Sequence, residues 1–234
     1  MLFYHAPMEG ITGYIVRNAY AHYFPYIDKY FTPFIPAAKK MSKKIKRDLA
    51  AENNEQIRLV PQLIGNRADE FLMMIQQLED LGITSVNLNF GCPSGTVVSK
   101  RKGAGFLADP KELEMLLEEV LEKSPLAVSV KTRVGIKDPD EWEALCGVYA
   151  KFPLEELIIH PRLQIDYYSG TPRMETFARA LEQIHVPLCY NGDICSEEDY
   201  GRVTVAFPAI DRIMIGTWIC SRARENVSIR GVPL

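Results

Sequence analysis

The sequence predicts an α/β fold, specifically an eight-stranded parallel (β/α)8 TIM barrel. Three observations predict it. Eight short apolar, β-favouring runs recur from end to end, at 2–6, 29–34, 59–64, 85–89, 127–132, 157–160, 188–191 and 212–215. Segments with helical spacing lie between them. The length, 234 residues, suits such barrels, which typically take ~250 residues. An open doubly wound sheet is the rival, because a count of strands does not prove closure.

The helices are predicted from periodicity and caps. Phe71, Met74, Ile75 and Leu78 fall on one face of 67–80, and Leu113, Leu116, Leu117, Val120 and Leu121 do the same in 110–123. Asp109-Pro110-Lys111-Glu112 and Asp138-Pro139-Asp140-Glu141 each offer a capping carboxylate, a proline at the first helical position and a glutamate three residues on. Thr171-Pro172 and Ser196-Glu197-Glu198 mark two further starts. Residues 1–218 form one catalytic domain on this reading, and 219–234 a short tail.

Composition narrows the function. With 47% hydrophobic and 24% charged residues the chain can bury a core, which excludes disorder. A net charge of −3 excludes nucleic-acid binding by bulk positive charge, though not by a local patch. The 5 cysteines form no CxxC pair, so neither a disulfide framework nor a metal site is expected. No apolar run reaches the ~18 residues of a membrane span, and the start, MLFYHAPMEG, does not read as a signal peptide. A soluble, cytoplasmic enzyme without membrane or metal partners is expected; the oligomeric state is left open, a monomer included.

In such barrels the active site lies at the C-terminal ends of the strands. Polar residues and glycines gather there: Pro7-Met8-Glu9, Gln62, Asn89 to Pro93, Lys131-Thr132-Arg133, His160-Pro161-Arg162, Asn191-Gly192-Asp193 and Gly216-Thr217. Cys92, in a Gly-Cys-Pro turn that opens the long segment 90–109, reads as a nucleophile or proton donor, against the usual buried structural thiol. Cys146 and Cys189 fit that plainer reading. Lys131 suits a phosphate, an anionic ring edge or a Schiff base. The loops after strands seven and eight suit phosphate. His160 and Arg162 read as an anion-binding pair. Lys100 and Arg101 on the long loop, with Lys39, Lys40, Lys43, Lys44, Lys46 and Arg47, offer contacts to a nucleic-acid backbone, or simply a solvated face. Gly103–Ala108 matches a dinucleotide pattern but follows no strand, so that reading is rejected.

Ala6-Pro7-Met8-Glu9-Gly10-Ile11-Thr12, Gln62, Asn89-Phe90-Gly91-Cys92-Pro93 with Gly103-Ala104, Lys131-Thr132-Arg133, His160-x-Arg162 with Tyr168 and Gly170, and Asn191-Gly192-Asp193-Ile194 together resemble the tRNA-dihydrouridine synthase family. The resemblance implies an FMN-bound barrel that reduces uridines of tRNA to 5,6-dihydrouridine, with NADPH as electron donor. It implies that Pro7, Met8, Glu9 and Gln62 line the flavin ring, that Lys131 contacts it, and that His160 lies beside the cofactor. Asn191, Gly192, Asp193, Gly216 and Thr217 then match the phosphate-holding end. Asn89 faces the substrate uracil, and Cys92, on a mobile glycine-rich loop, protonates it.

The chain departs from the family pattern in three places. The helical tRNA-binding domain that usually follows the barrel is expected to be absent, Gly216-Thr217-Trp218 replaces a Gly-Arg pair, and Pro161, Gln164 and Asp166 stand where Gly, Arg and Gln are usual. These departures keep two alternatives in play: an FMN-dependent reductase of a small non-tRNA substrate, and a catalytically impaired RNA-binding relative. An aldolase using Lys131 is a further rival, one that gives Cys92 no role.

Overall fold

Pairing of the short apolar runs builds one parallel sheet. In this computed structural model, which describes residues 1–216, the strands are β1 (Leu2–His5), β2 (Lys29–Phe31), β3 (Ile35–Pro36), β4 (Leu59–Val60), β5 (Gln62–Ile64), β6 (Ser85–Phe90), β7 (Ala127–Arg133), β8 (Leu157–His160), β9 (Leu188–Tyr190) and β10 (Arg212–Ile215). The ten run parallel in the order β3-β5-β6-β7-β8-β9-β10-β1-β2-β4. All eight predicted runs carry strands; 59–64 is broken into β4 and β5, and the strand in 29–34 breaks off after Phe31 and resumes as β3 just beyond the predicted run. Pro33 and Pro61 stand at the breaks, where the missing N–H removes a rung from the ladder. Tyr30 pairs with Leu59 on one side of the breaks, and Ile35 with Leu63 on the other. The two ends of the order, β3 and β4, thus belong to the same two stretches of chain, 29–36 and 59–64.

The helices are α1 (Tyr14–Tyr23), α2 (Lys43–Leu49), α3 (Ala68–Glu79), α4 (Gly95–Val98), α5 (Pro110–Lys123), α6 (Glu141–Tyr149), α7 (Met174–Gln183) and α8 (Glu197–Ala206). Their apolar stripes pack on one face of the sheet, where Phe71, Leu88, Leu117, Trp142 and Phe177 belong to the main core. The opposite face carries a smaller cluster of Tyr4, Ala6, Phe31, Val60, Ile158, Cys189 and Met214. Alternation along each strand separates the two sets. Asp109 caps α5 as expected, accepting from Lys111 N and Glu112 N at 3.1 Å each. The second predicted start shifts: α6 begins at Glu141 rather than Pro139. The Glu141 carboxylate accepts from the backbone N–H groups of Ile136, Lys137 and Asp138, which ties it to the preceding turn. Likewise α7 begins at Met174, two residues beyond Pro172.

Among the described residues no helix is long and apolar enough to cross a membrane. Thr217, Trp218, Cys220 and the 219–234 tail lie outside the described residues.

Candidate active site

The C-terminal end of the sheet gathers the predicted residues, and the structure shows what each side chain does there. Asn89, on β6, turns its Oδ1 to the backbone N–H groups of Gly91 (3.0 Å) and Cys92 (2.9 Å). The side chain thus mimics a backbone turn and fixes the Gly-Cys-Pro corner. Behind it, Asn89 Nδ2 donates to Gln62 Oε1 at 2.7 Å and Gln62 Nε2 to Asn87 Oδ1 at 2.8 Å.

The segment after Cys92, expected as a mobile glycine-rich loop, is folded into α4 and a 3-10 turn over Gly103–Ala108. Its glycines serve close packing. Gly103 has φ +54°, and a Cβ there would stand 2.8 Å from the Cys92 carbonyl oxygen. Ala104 N donates to that same carbonyl at 3.0 Å. The Gly-Ala pair downstream of the cysteine therefore grips the cysteine turn from behind. Gly105 packs so tightly on Val98 that a Cβ would lie 2.8 Å from its carbonyl oxygen.

Two residues to which the sequence reading gave no role complete the clamp. Arg133, buried on the same face of β7 as Lys131, donates from Nε to the Gly91 carbonyl at 2.9 Å and reaches the carbonyls of Leu163 and Tyr167. Gln164 Nε2 donates to the Pro93 carbonyl at 3.1 Å. Both bonds tie the cysteine turn to the segment after β8. The period-2 spacing of Lys131 and Arg133 is a usable sequence signal for the first. Gln164, at a position where the chain leaves the family pattern, has only that departure to mark it.

The charges are unevenly shared. Arg162, read from the sequence as half of an anion site, is buried and holds Asp193 through both guanidinium arms, with NH1 to Oδ1 at 2.7 Å. This pair joins the segments after β8 and β9. Arg162 also donates to His160 Nε2 at 3.1 Å. An arginine only donates, so Nε2 is the bare nitrogen and the neutral ring carries its proton on Nδ1. Burial, helped by the cations of Lys131, Arg133 and Arg162, holds His160 well below the usual histidine range.

Lys131 differs from its neighbours. It is half-buried, and its ammonium has no hydrogen-bond or ion-pair partner among the described residues. Burial, then the Arg133 charge, pushes it down to about 8. Burial likewise raises the Cys92 thiol above its ordinary value, outweighing the Ser94 N–H and the Lys131 and Arg133 charges, which pull it down. Cys92 is therefore a protonated thiol at neutral pH, suited to giving a proton rather than to attacking as a thiolate.

The remaining predicted residues frame this centre. Pro7 and Met8 are half-buried and Glu9 exposed after β1. Met8 is pinned by Thr12, whose Oγ1 accepts from Met8 N at 2.9 Å. Asn191 spends its Nδ2 on the Met214 carbonyl at 2.9 Å, while Gly192 and Gly216 are half-buried at neighbouring strand ends. On the outer loop Arg101 pairs with Glu112, and Lys100 is exposed.

Known proteins resemble this chain in sequence and in fold. The sequence profile of the family described as Dihydrouridine synthase (Dus) matches residues 4–221. The chain is 30% identical over 233 residues to the tRNA-dihydrouridine(16) synthase of Pseudomonas putida, covering 96% of this chain and 72% of that relative. It is 27% identical over 214 residues to tRNA-dihydrouridine synthase B of Pasteurella multocida, covering 90% and 63%. Among solved structures it is similar in fold to histamine dehydrogenase from Rhizobium sp. 4-9 (TM-score 0.68, 12% identity, 92% of this chain and 43% of that one). It is similarly close to morphinone reductase in complex with tetrahydroNAD (TM-score 0.62, 11% identity, 92% and 82%). The profile spans the cysteine turn, its Gly-Ala clamp and the lysine beside it, and the chain belongs to the dihydrouridine synthase family.

Proposed function

We propose that this protein reduces uridines of tRNA to 5,6-dihydrouridine, with Cys92 as the acid that protonates the uracil at C5. The observation that carries the reading is a lysine ammonium without a carboxylate, Lys131, at the same strand ends as a thiol that burial keeps protonated. A cation so placed costs stability unless an anion or strong acceptor meets it. That setting fits the ring edge of a flavin.

In this reading the flavin is FMN and the electron donor NADPH. Gln62, Lys131 and His160 would hold the ring, with Pro7, Met8 and Glu9 beside it and Asn191, Gly192, Asp193 and Gly216 toward the phosphate. When bound and reduced, the flavin supplies a hydride for C6 of the uracil. The chain's own residues do the rest. Lys131 offers positive charge to the ring edge. Asn89, Gly103-Ala104, Arg133 and Gln164 orient the Cys92 turn. The target base must leave its stack to reach this depth, and exposed cations around the opening, Lys100 among them, meet the backbone.

The same proposal takes the sheet to be closed as an eight-stranded barrel, supported by its first and last strands being pieces of one broken pair. Residues 1–218 are its catalytic domain, and the cytoplasm, where tRNA is processed, its place of work.

The test is the visible spectrum of the purified protein, with the released chromophore identified, followed by Cys92→Ala. The variant is expected to keep its FMN and to lose dihydrouridine formation by about a hundredfold or more. Normal dihydrouridine formation by Cys92→Ala would remove the assigned role, and a protein that neither carries nor takes up FMN would remove the flavin.

A further inference from the structure

Asn87 and Ser129 are fully buried on neighbouring strands, β6 and β7. They share the inner face with Gln62 and Asn89, below the reacting end. They belong to one directed chain of hydrogen bonds. Ser129 Oγ donates to the Val86 carbonyl at 3.1 Å and accepts from Asn87 Nδ2 at 2.9 Å. Asn87 Oδ1 accepts from Gln62 Nε2, Gln62 Oε1 from Asn89 Nδ2, and Asn89 Oδ1 from the N–H groups of Gly91 and Cys92.

Both ends of this chain are backbone groups that cannot reverse. The Gly91 and Cys92 N–H groups demand an oxygen from Asn89, so Nδ2 must face Gln62. Gln62 must then answer with Oε1, leaving Nε2 for Asn87, and so on to the hydroxyl. At the far end the Val86 carbonyl takes the hydroxyl proton, leaving Ser129 as the acceptor that Asn87 needs. One flipped amide would set two donors or two acceptors face to face in a dry interior, where an unmet polar group is costly.

We propose that Asn87 and Ser129 are positioning residues, which fix the amide polarity of Gln62 and Asn89 and through Asn89 hold the Cys92 turn. With the chain so directed, Asn89 Oδ1 is filled by two N–H groups and Asn89 has only its second Nδ2 hydrogen left to offer a ligand, while Gln62 keeps its second Nε2 hydrogen and one lone pair of Oε1. The inference rests on the proposed role of Cys92 for its catalytic consequence, but not for its structural one.

The test compares Ser129→Val with Ser129→Thr, which are nearly equal in volume and differ in the hydroxyl. In the FMN-loaded enzyme, Ser129→Val is expected to lower kcat about tenfold with KM for tRNA within about twofold, as a misplaced catalytic group does. Ser129→Thr should restore kcat. In the protein stripped of flavin, iodoacetamide labelling mapped by mass spectrometry should show the Cys92 rate changing about fivefold in Ser129→Val. The rate at Cys195, also half-buried, serves as the internal reference and should stay constant.

If the two variants behave alike, or if Cys92 and Cys195 shift together, the positioning role is overturned. The labelling arm needs neither flavin nor tRNA, so it decides the relay even if the flavin reading fails. Should Ser129→Val not fold, side-chain amide exchange by NMR in the unaltered protein replaces it. Protons of Asn87 and Gln62 exchanging as fast as free amides would overturn the relay, and strong protection would support it.

Discussion

At the N-terminal end of the sheet, Lys29 donates to Glu156 at 2.7 Å, and the same carboxylate accepts from Tyr4 OH at 2.8 Å and from Arg212 at 3.3 Å. Lys29, Tyr4 and Glu156 are all buried. At the C-terminal end, Lys131 sits on the same inner face beside Arg133 and His160, and among the described residues its ammonium is in no ion pair. One end is a closed, charge-matched plug. The other is left electrostatically incomplete. Similar residues on one sheet thus do opposite things: a buried pair with its hydrogen bonds satisfied holds strands together, while an unmatched cation is a standing cost that only a ligand relieves.

The largest expected effect breaks the plug. Lys29→Met leaves Glu156 buried with two partners instead of three and a charge less well matched. It should lower the unfolding free energy by about 3 kcal/mol, read as a shift in urea midpoint at unchanged slope. A loss as small as that of an exposed ion pair would mean that the plug does not hold the strands together.

The same substitution at the other end should act with the opposite sign. Lys131→Met removes a cation that burial disfavours, so the flavin-free protein should be as stable as the parent or more so, by about 1 kcal/mol. FMN affinity should fall about tenfold, the equivalent of one charged contact. The pH dependence sharpens the contrast. Folding pushes Lys131 down to about 8 from its ordinary 10.5, so between those values the unfolded chain holds a proton that the folded one has released. Stability of the flavin-free protein therefore rises with pH across that window, while FMN binding weakens above pH 8 as the ammonium is neutralised. Lys131→Met should flatten both profiles. If both lysine variants destabilise the flavin-free protein alike, the contrast between the ends collapses.

The fold was legible because strand and helix periods are local. The 110–123 helix, with its proline and capping aspartate, needed no tertiary information. The breaks at Pro33 and Pro61 were also visible as prolines, yet nothing local tells whether a proline ends a strand or only interrupts it. The site was legible as a set of positions and much less as a set of bonds. Cys92, Asn89 and Lys131 do gather at one end. That Arg162 binds Asp193, that Glu141 holds the preceding turn, and that Ser129 anchors Asn87 across 42 residues all depend on register between strands. Composition and spacing do not encode register.

The smallest effect concerns the outer surface, where the same contrast recurs. Several exposed cations have a carboxylate at hand: Arg58 with Glu155, Arg67 with Asp69, Lys123 with Glu119, Lys151 with Glu114, Arg202 with Asp199. Lys39, Lys40, Lys43, Lys44, Lys46 and Arg47 are exposed, and among the described residues none is in an ion pair. This run is fastened to the reacting end. Asp48, at the end of α2, accepts from Tyr14 N at 2.8 Å and pairs with Arg17, whose guanidinium also holds the Thr12 carbonyl. Thr12 in turn pins Met8. Unpaired cations on a braced segment suit phosphates better than they suit the fold. Replacing Lys39, Lys40, Lys43 and Lys44 with glutamine should leave the urea midpoint unchanged. It should reduce the dependence of log K on log salt for tRNA binding by about 0.7–0.9 for each phosphate that the protein no longer neutralises. An unchanged salt slope would return the run to an ordinary solvated surface and confine the unmatched charge to the strand ends around Lys131.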